Sequence, residues 1–241
     1  MKLRIALVGL ACAAALNLAG CRNPPGKPQY TNETKRPDQV LDFPTLYAKN
    51  CAGCHGEHGR SGAAISLANP VYLSVAGVAN IERVTADGVS GTMMPPFARS
   101  AGGLLTDEQI RILSQGMVAA WGKSSPFDTH SAPSYATTTS GDVGQGKSVF
   151  SARCAICHGS DGTGNTNGDQ HTGSLVDPAY LALISDQGLR SILIAGEPEQ
   201  GMPDWHSYSN GPLTEADITN VVAWLGSRRI GTPGQPYRQH P

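Results

Sequence analysis

The sequence predicts an all-α fold made of two tandem copies of one small helical domain, at residues 41–121 and 142–229. Three observations support this prediction. The two copies repeat the same residue types in the same order, at an offset of 103 residues at first and of 108 residues from Ser66 onward. Apolar residues recur at helical spacing, and each copy ends with a segment that opens on a helix-capping sequence.

Each copy should begin with a short helix, at residues 43–50 in the first copy and 146–153 in the second. In the first copy, Phe43, Leu46 and Tyr47 have the i, i+3, i+4 spacing of one helical face. Both segments run directly into a pair of cysteines. We therefore expect this helix to deliver each cysteine pair.

The remaining helices also follow the repeat. Small helices are predicted in both copies, after Pro70 and Pro178 and at residues 81–85 and 189–195. The closing helices should start at the capping sequences of residues 106–109 and 214–217. In the second copy this helix carries one apolar stripe, formed by Ile218, Val221, Val222 and Leu225. The five extra residues of the second copy fall in its glycine-rich loop, at residues 161–173.

The sequence Cys-x-x-Cys-His occurs once in each copy, at residues 51–55 and 154–158. It is the attachment pattern of c-type haem, in which each thiol adds to one vinyl group of the porphyrin and the histidine ligates the iron from one face. A redox-active cysteine pair and a joint zinc cluster are the alternatives, but the pattern is duplicated and a whole domain separates its two occurrences. We predict two covalently bound haems, attached by Cys51, Cys54, Cys154 and Cys157 and ligated by His55 and His158.

The second face of each iron needs a further ligand, and the repeat indicates Met94 and Met202. Each precedes a proline, which pre-sets a turn, and an aromatic residue follows two positions after that proline. Met93 is the competing ligand in the first copy, but its counterpart is Gly201, so the alignment disfavours it. A thioether favours ferrous iron and completes the coordination sphere, which leaves no open position for a substrate.

Other residues near the motifs are weaker candidates for iron binding. We expect surface positions for His58 and His206, no iron ligation by His171 in the five-residue insertion, and haem-packing positions for Phe97 and Trp205. Guanidinium groups suit the carboxylates of haem propionates. The sequence does not choose among Arg83, Arg99 and Arg190 for that role.

The N-terminus is predicted to be a targeting segment. A basic start is followed by an apolar run, residues 5–16, that is too short to span a bilayer as a mature helix. Residues 18–21 then resemble a bacterial lipobox. Residues 1–20 should therefore be a lipoprotein signal peptide with Cys21 as the lipidation site, and a plain secretory peptide is the alternative.

Three polar segments lack the apolar periodicity of folded elements. Residues 21–40 are predicted to be a flexible lipid-anchored tether, residues 122–141 a linker, and residues 230–241 a C-terminal tail. Because Cys12 is removed with the signal peptide, no cysteine remains for a disulfide. We therefore expect the covalent cofactors to provide the stabilisation that disulfides give many exported proteins.

The order of these features resembles that of class I c-type cytochromes, here in tandem as a dihaem protein. The resemblance covers residues 41–229 and implies that the first and last helices cross and that the protein carries electrons. It also implies a proline carbonyl that accepts a hydrogen bond from each haem histidine, yet residues 63–66 and 171–174 contain no proline. The acceptors for the two histidines are therefore left open.

Where these helices would cross, one copy has the bulky residue in its first helix and the small residue in its last, and the other copy has the reverse. The first copy has Phe43 in its first helix and Gly116 in its last, whereas the second copy has Gly146 and Trp224. Such an exchange preserves the volume of a packed contact. We therefore expect Phe43 to approach Gly116, and Trp224 to approach Gly146.

These features predict a membrane-anchored dihaem c-type cytochrome that carries single electrons between respiratory or photosynthetic redox complexes. A quinol-oxidising complex would be upstream and a terminal oxidase or reductase downstream, and the protein would act as a tethered shuttle or as a subunit of such a complex. We expect it to be exported and lipid-anchored to a bacterial membrane, facing the periplasm or the outer side of the cell membrane. The net charge of -1 gives no indication of nucleic-acid binding.

A haem enzyme, such as a dihaem peroxidase or a small-molecule dehydrogenase, is the alternative function. It would need one displaceable axial ligand. The equivalent Met-Pro loops in both copies argue against that. We therefore predict an electron-transfer protein rather than an enzyme.

Overall fold

The computed structural model describes residues 35–122, 131–167 and 170–231. The predicted signal peptide, Cys21 and nearly all of the predicted tail lie outside these residues. Within the N-terminal unit, the described residues contain a 3-10 turn at Pro37–Gln39. The described residues from Val40 onward belong to a second compact unit. No helix in the described ranges is both long and apolar enough to cross a membrane.

Both repeats fold into helices at the predicted places, which confirms the all-α fold with two tandem domains. The first repeat contains α1 (Phe43–Asn50), α2 (Ala52–His55), α3 (Pro70–Asp87) and α4 (Asp107–Trp121), with a 3-10 turn at Arg99–Ala101. The second repeat contains α5 (Val143–Arg153), α6 (Ala155–His158), α7 (Pro178–Leu183), α8 (Asp186–Ala195) and α9 (Glu215–Gly226), with a 3-10 turn at Pro198–Gln200.

The first repeat has one kinked helix, α3, where the second repeat has two separate helices. The kink lies at Gly77, whose φ of 65° and ψ of 164° are not helical. Its counterpart at the offset of 108 residues is Ser185, the N-cap of α8. The chain therefore changes direction at the same place in both repeats.

The extra residues of the second repeat form a hairpin rather than the irregular loop that we predicted. Strand β1 (Asn165–Asn167) pairs with strand β2 (Gln170–Thr172) in antiparallel register, with Thr166 opposite His171. The Thr166 hydroxyl and the Nδ1 atom of His171 lie 3.2 Å apart. The pairing satisfies backbone groups of a polar segment that has no apolar periodicity to reveal it.

Capping boxes start both closing helices, as predicted. The Thr106 hydroxyl accepts from the Gln109 amide (3.2 Å), and the Gln109 side chain accepts from the Thr106 amide (3.0 Å). Thr214 and Asp217 make the same reciprocal pair at 3.1 and 2.9 Å. Each box satisfies backbone donors that the first turn of a helix otherwise leaves unpaired.

The predicted helix crossings are confirmed in both repeats. A β-carbon added to Gly116 in α4 would lie 2.4 Å from the ring of Phe43 in α1. One added to Gly146 in α5 would lie 2.0 Å from the Asn220 carbonyl oxygen and 2.9 Å from the β-carbon of Trp224 in α9. Each crossing therefore requires a glycine on one side.

The substitution Gly146→Ala should destabilise the second repeat, because the added methyl group overlaps the backbone of α9. Overpacking of this kind costs about 1–3 kcal/mol. We expect a lower Tm when the full chain is unfolded thermally and followed by circular dichroism. Gly144→Ala in the same helix is the matched control, because Gly144 is exposed. The Tm of this variant should equal that of the wild type or be slightly higher. Equal Tm values for Gly146→Ala and the wild type would contradict the tight crossing.

The two repeats pack against each other through the equivalent helices α3 and α8. Asn69 caps α3 with its Oδ1 atom, and its Nδ2 atom donates to the carbonyls of Ala195 (2.9 Å) and Gly196 (3.2 Å) at the end of α8. The counterpart of Asn69 is Asp177, which caps α7 but has no side-chain N–H to donate. The first repeat therefore donates this bond to the second repeat, and Asp177 cannot donate the equivalent bond in the opposite direction.

Part of the predicted linker is held by both repeats. The Tyr72 hydroxyl of α3 is hydrogen-bonded to the Tyr135 side chain, and Arg190 of α8 donates twice to the Ser134 carbonyl, at 2.9 and 2.8 Å. Arg190 is only 3% exposed. It also bonds to Thr219 (3.1 Å) and to the Glu215 carboxylate (2.5 Å) of α9. We call Arg190 with Ser134, Thr219 and Glu215 the arginine clamp.

Candidate functional site: two haem-attachment motifs

Each cysteine motif continues the first helix of its repeat by one further turn. The Cys51 amide donates to the last turn of α1 (2.9 Å), and the His55 amide donates to the Cys51 carbonyl (3.0 Å). Cys154 and His158 make the same bonds after α5, at 2.8 and 3.0 Å. The structure therefore places each histidine one helical turn from the first cysteine of its motif.

The first cysteine of each motif is buried and the second is exposed. Cys51 and Cys154 are 9% and 8% exposed, whereas Cys54 and Cys157 lie at the surface. Burial raises the pKa of the Cys51 thiol to about 12 and that of the Cys154 thiol to about 11. A redox-active pair needs an accessible thiol with a lowered pKa. Cys51 and Cys154 therefore lack the properties of a redox-active thiol.

His55 is oriented by a backbone carbonyl. Its Nδ1 atom lies 2.8 Å from the Ile65 carbonyl oxygen, and the ring is 8% exposed. Because a carbonyl only accepts, Nδ1 carries the proton and Nε2 has the free electron pair that a metal requires. Burial lowers the pKa of His55 in spite of this hydrogen bond, so the neutral imidazole is favoured.

His158 lacks such support. Its Nδ1 atom is buried and has no hydrogen-bond partner within the described part of the chain. Burial again lowers the pKa of the imidazole, which favours the neutral form that ligates metals. The acceptor that the sequence left open is therefore the Ile65 carbonyl in the first repeat, and no described residue takes this role in the second.

The two methionine loops share one backbone hydrogen bond. The Val89 amide donates to the Met94 carbonyl at 3.0 Å, and the Glu197 amide donates to the Met202 carbonyl at 3.0 Å. Val89 and Glu197 are counterparts at the offset of 108 residues. Met94 and Met202 are partly buried, whereas Met93 is 76% exposed. The loops thus share this closing bond, and iron ligation by Met94 and Met202 stays a prediction.

A glycine precedes each methionine loop and lets it approach closely. Gly88 and Gly196 have φ angles of 69° and 66°. A β-carbon on Gly88 would lie 2.6 Å from the Pro95 backbone, and one on Gly196 would lie 2.6 Å from the Pro203 backbone. Any other residue would therefore be strained and would displace the loop.

The weaker candidates differ in exposure, and haem packing by Phe97 and Trp205 stays a prediction. His58, His171 and His206 are exposed. Trp205 is buried, and Phe97 is partly buried against the core. Arg190 belongs to the arginine clamp, and Arg99 is exposed in its 3-10 turn.

The donor set fits a covalent c-type haem in each repeat. Each motif combines two thiols with a neutral imidazole in one helical turn, and each repeat adds a methionine on a pre-shaped loop. In the first repeat the imidazole is already oriented through its outer nitrogen, as haem histidines require. Cys51, Cys54, His55 and Met94 would hold one haem, and Cys154, Cys157, His158 and Met202 the other.

Our sequence analysis missed the residues that link the first histidine segment to the second methionine loop. Glu199 pairs with Arg60 at 3.3 Å and accepts from the Ser61 hydroxyl at 3.0 Å. Ile65 lies within residues 63–66, where we looked for a proline. The sequence could therefore indicate the region of the acceptor, but it could not indicate that an isoleucine provides the carbonyl. Exposed polar residues such as Arg60 carry no local pattern that would reveal a partner so distant in sequence.

Comparison with known proteins gives a family for this chain. The family model described as cytochrome c oxidase, cbb3-type, subunit III matches residues 38–115 and 141–225. The cbb3-type cytochrome c oxidase subunit FixP of Sinorhizobium medicae is 30% identical over 194 residues, which is 76% of this chain and 59% of that protein. The subunit CcoP of Cereibacter sphaeroides is 28% identical over 193 residues, 75% of this chain and 58% of that protein.

The chain thus spans a little under three fifths of the length of these curated relatives. Among solved structures, the reducing HAO-like protein complex of Kuenenia stuttgartiensis aligns with a TM-score of 0.49 and 16% identity, over 82% of this chain and all of that one. The family model covers both repeats and both cysteine motifs. The chain is a c-type cytochrome and belongs to the family of cbb3-type cytochrome c oxidase subunit III.

Proposed function

We propose that the protein is a dihaem electron carrier with His55 and Met94 as the axial ligands of one haem and His158 and Met202 as those of the other. The observation that carries this proposal is the duplication of the whole donor set. Both motifs end in a neutral histidine, and both methionine loops close on the same 3.0 Å backbone bond. An enzyme would need one site to differ by a displaceable ligand, whereas both loops place a methionine at the same position after the same closing bond.

The residues of the chain suit one-electron transfer with little rearrangement. A haem closed by histidine and methionine supplies a ferric-ferrous couple without an open coordination position. The Ile65 carbonyl holds the His55 ring, and the backbone bonds at Val89 and Glu197 hold the methionine loops. Ligands fixed in this way keep their positions in both oxidation states.

Contacts between the repeats support transfer from one site to the other within the chain. Arg60 and Ser61, which follow the first motif, bind Glu199, which precedes Met202 by three residues. Asn69 donates to the Ala195 carbonyl in the same region. The segment that follows His55 in sequence thus contacts the segment that carries Met202. The two repeats would therefore form one redox module.

The proposed partners are membrane complexes. The relatives are subunits of cbb3-type cytochrome c oxidases, so we propose a terminal oxidase as the electron acceptor and a quinol-oxidising complex as the source. The proposed lipid at Cys21 and the tether of residues 21–40 would hold the haem domains at the periplasmic or outer surface of a bacterial membrane. Either a fixed subunit or a tethered shuttle fits this arrangement.

Optical and magnetic-resonance spectra of the purified full chain test the ligand set. We expect two low-spin ferric haems with a sulfur-to-iron charge-transfer band, and no carbon monoxide binding to the reduced protein. Met94→Ala should open one haem per chain to carbon monoxide, because the thioether is lost. Met93→Ala is the matched control and should leave the spectra unchanged, since that side chain is exposed. A high-spin haem in the wild type would instead favour the enzyme alternative.

A further inference from the structure

The two histidine ligands differ in the support that they receive, although the rest of the donor sets match. The Nδ1 atom of His55 donates to the Ile65 carbonyl at 2.8 Å. The Nδ1 atom of His158 is buried and has no partner in the described ranges. Nδ1 is the ring nitrogen that would not bind the iron, and the support of this nitrogen differs between the two repeats.

The cause of the difference is the five-residue excess of the second repeat. The counterpart of Ile65 at the offset of 108 residues is Gly173, which directly follows strand β2. In the first repeat the Ala68 amide donates to the Gly59 carbonyl at 2.8 Å. In the second repeat the equivalent carbonyl, on Gly162, accepts instead from Leu175, the counterpart of Leu67. The backbone bonds after the hairpin therefore differ from those of the first repeat at this point, and the Gly173 carbonyl does not take the place of the Ile65 carbonyl.

A hydrogen bond at the outer nitrogen changes the electronic character of a metal-bound histidine. Donation from Nδ1–H to a carbonyl increases the basicity of Nε2. A more basic ligand stabilises ferric iron relative to ferrous iron and so lowers the reduction potential. The proposed axial ligands are the same pair in both repeats, and this bond is a difference between the two sites that acts directly on an axial ligand.

We propose that the His55–Ile65 hydrogen bond places the reduction potential of the first site below that of the second, so that electrons enter at the first repeat and leave from the second. This inference rests on the proposed function. In the internal step one electron leaves the ferrous site of the first repeat and reduces the ferric site of the second, so no proton or further reactant is needed. The quinol-oxidising class of partner would thus meet the first repeat, and the oxidase class the second.

A redox titration of the full dihaem chain tests the order of the potentials. We expect two one-electron waves whose midpoint potentials differ by at least about 59 mV, with the second site at the higher potential. This difference corresponds to a tenfold preference for reduction of the second site. Met94→His and Met202→His assign the waves, because imidazole in place of thioether lowers the potential of its own haem. The lower wild-type wave should be the one that Met94→His moves.

Removal of residues 166–170 tests the cause, because it returns the second repeat to the length of the first. We expect the potential of the second site to fall and the separation of the waves to shrink by more than half. Thr166→Ala is the matched control, since it changes the hairpin without shortening it and should leave both potentials in place. If the shortened chain does not fold, hydrogen exchange by nuclear magnetic resonance of the wild type serves instead, with slow exchange expected for His55 Nδ1–H and fast exchange for His158.

The outcomes distinguish this inference from the proposed function. Two low-spin haems with equal or reversed potentials would overturn the inference and leave the electron carrier intact. Equal, slow exchange of both Nδ1 protons would also overturn it. A haem without methionine ligation in the wild type would overturn the proposed function itself.

Discussion

Replacing both cysteines of the second motif, Cys154→Ser with Cys157→Ser, should reduce the haem content of the purified protein from two per chain to one. The two thiols are the only covalent attachment that the motif offers, and a serine hydroxyl does not add to a porphyrin vinyl group. The measurement is the haem absorbance of the denatured, reduced protein relative to its polypeptide concentration. The intact mass should fall by one haem in parallel.

The first motif provides the matched variant, Cys51→Ser with Cys54→Ser, which should also leave one haem per chain. The remaining haem in each variant should keep its low-spin spectrum, because each repeat holds a complete donor set. A haem content unaffected by either double substitution would show that the motifs serve as thiol pairs and would refute the assignment of both sites.

The second large effect is expected at the arginine clamp, where Arg190→Met should lower the free energy of unfolding by about 3 kcal/mol. Arg190 is buried and makes four hydrogen bonds, two to the Ser134 carbonyl and one each to Thr219 and Glu215. Methionine fills part of the volume but leaves these acceptors without a donor. Because Ser134 lies between the repeats in sequence, the substitution should also loosen the packing of one repeat on the other.

Urea unfolding of the full chain, followed by circular dichroism, measures this loss. Arg111→Met is the matched control, because Arg111 pairs with Glu108 at 3.7 Å on the exposed face of α4. Exposed pairs of this kind contribute about 0–1 kcal/mol, so the control should unfold at nearly the wild-type urea concentration. Similar losses for the two variants would mean that the clamp is no stronger than a surface ion pair.

Local sequence patterns predicted the helices well, because a helix depends mainly on residues that are close together in sequence. The spacing of Phe43, Leu46 and Tyr47 predicted a helix at residues 43–50, which is the observed α1. The prediction for α5 began three residues late. Asp142 caps this helix by accepting from the Gln145 amide at 2.7 Å. Glycines follow the cap and are weak helix formers, so the first turn was not predicted.

The site could be predicted in part for the same reason. The cysteine motifs and the methionine loops recur in register, so comparing the chain with itself was enough to find them. The support of the histidines was not predictable, because every residue has a carbonyl and its type does not show which one meets His55. His158 lacks that support in the repeat that carries the hairpin, which no apolar pattern indicated.

The sequence alone indicated the chemistry that we propose for each repeat, namely covalent haem attachment and the candidate iron ligands, and it predicted the exchange of bulky and small residues at the helix crossings. Only the tertiary structure decided how the repeats differ and how they join. The Ile65 carbonyl, the Asn69 link and the arginine clamp connect groups 10 to 127 residues apart in sequence. Such contacts depend on where the backbone returns in space, and that path is set by the packing of the whole unit rather than by any local preference.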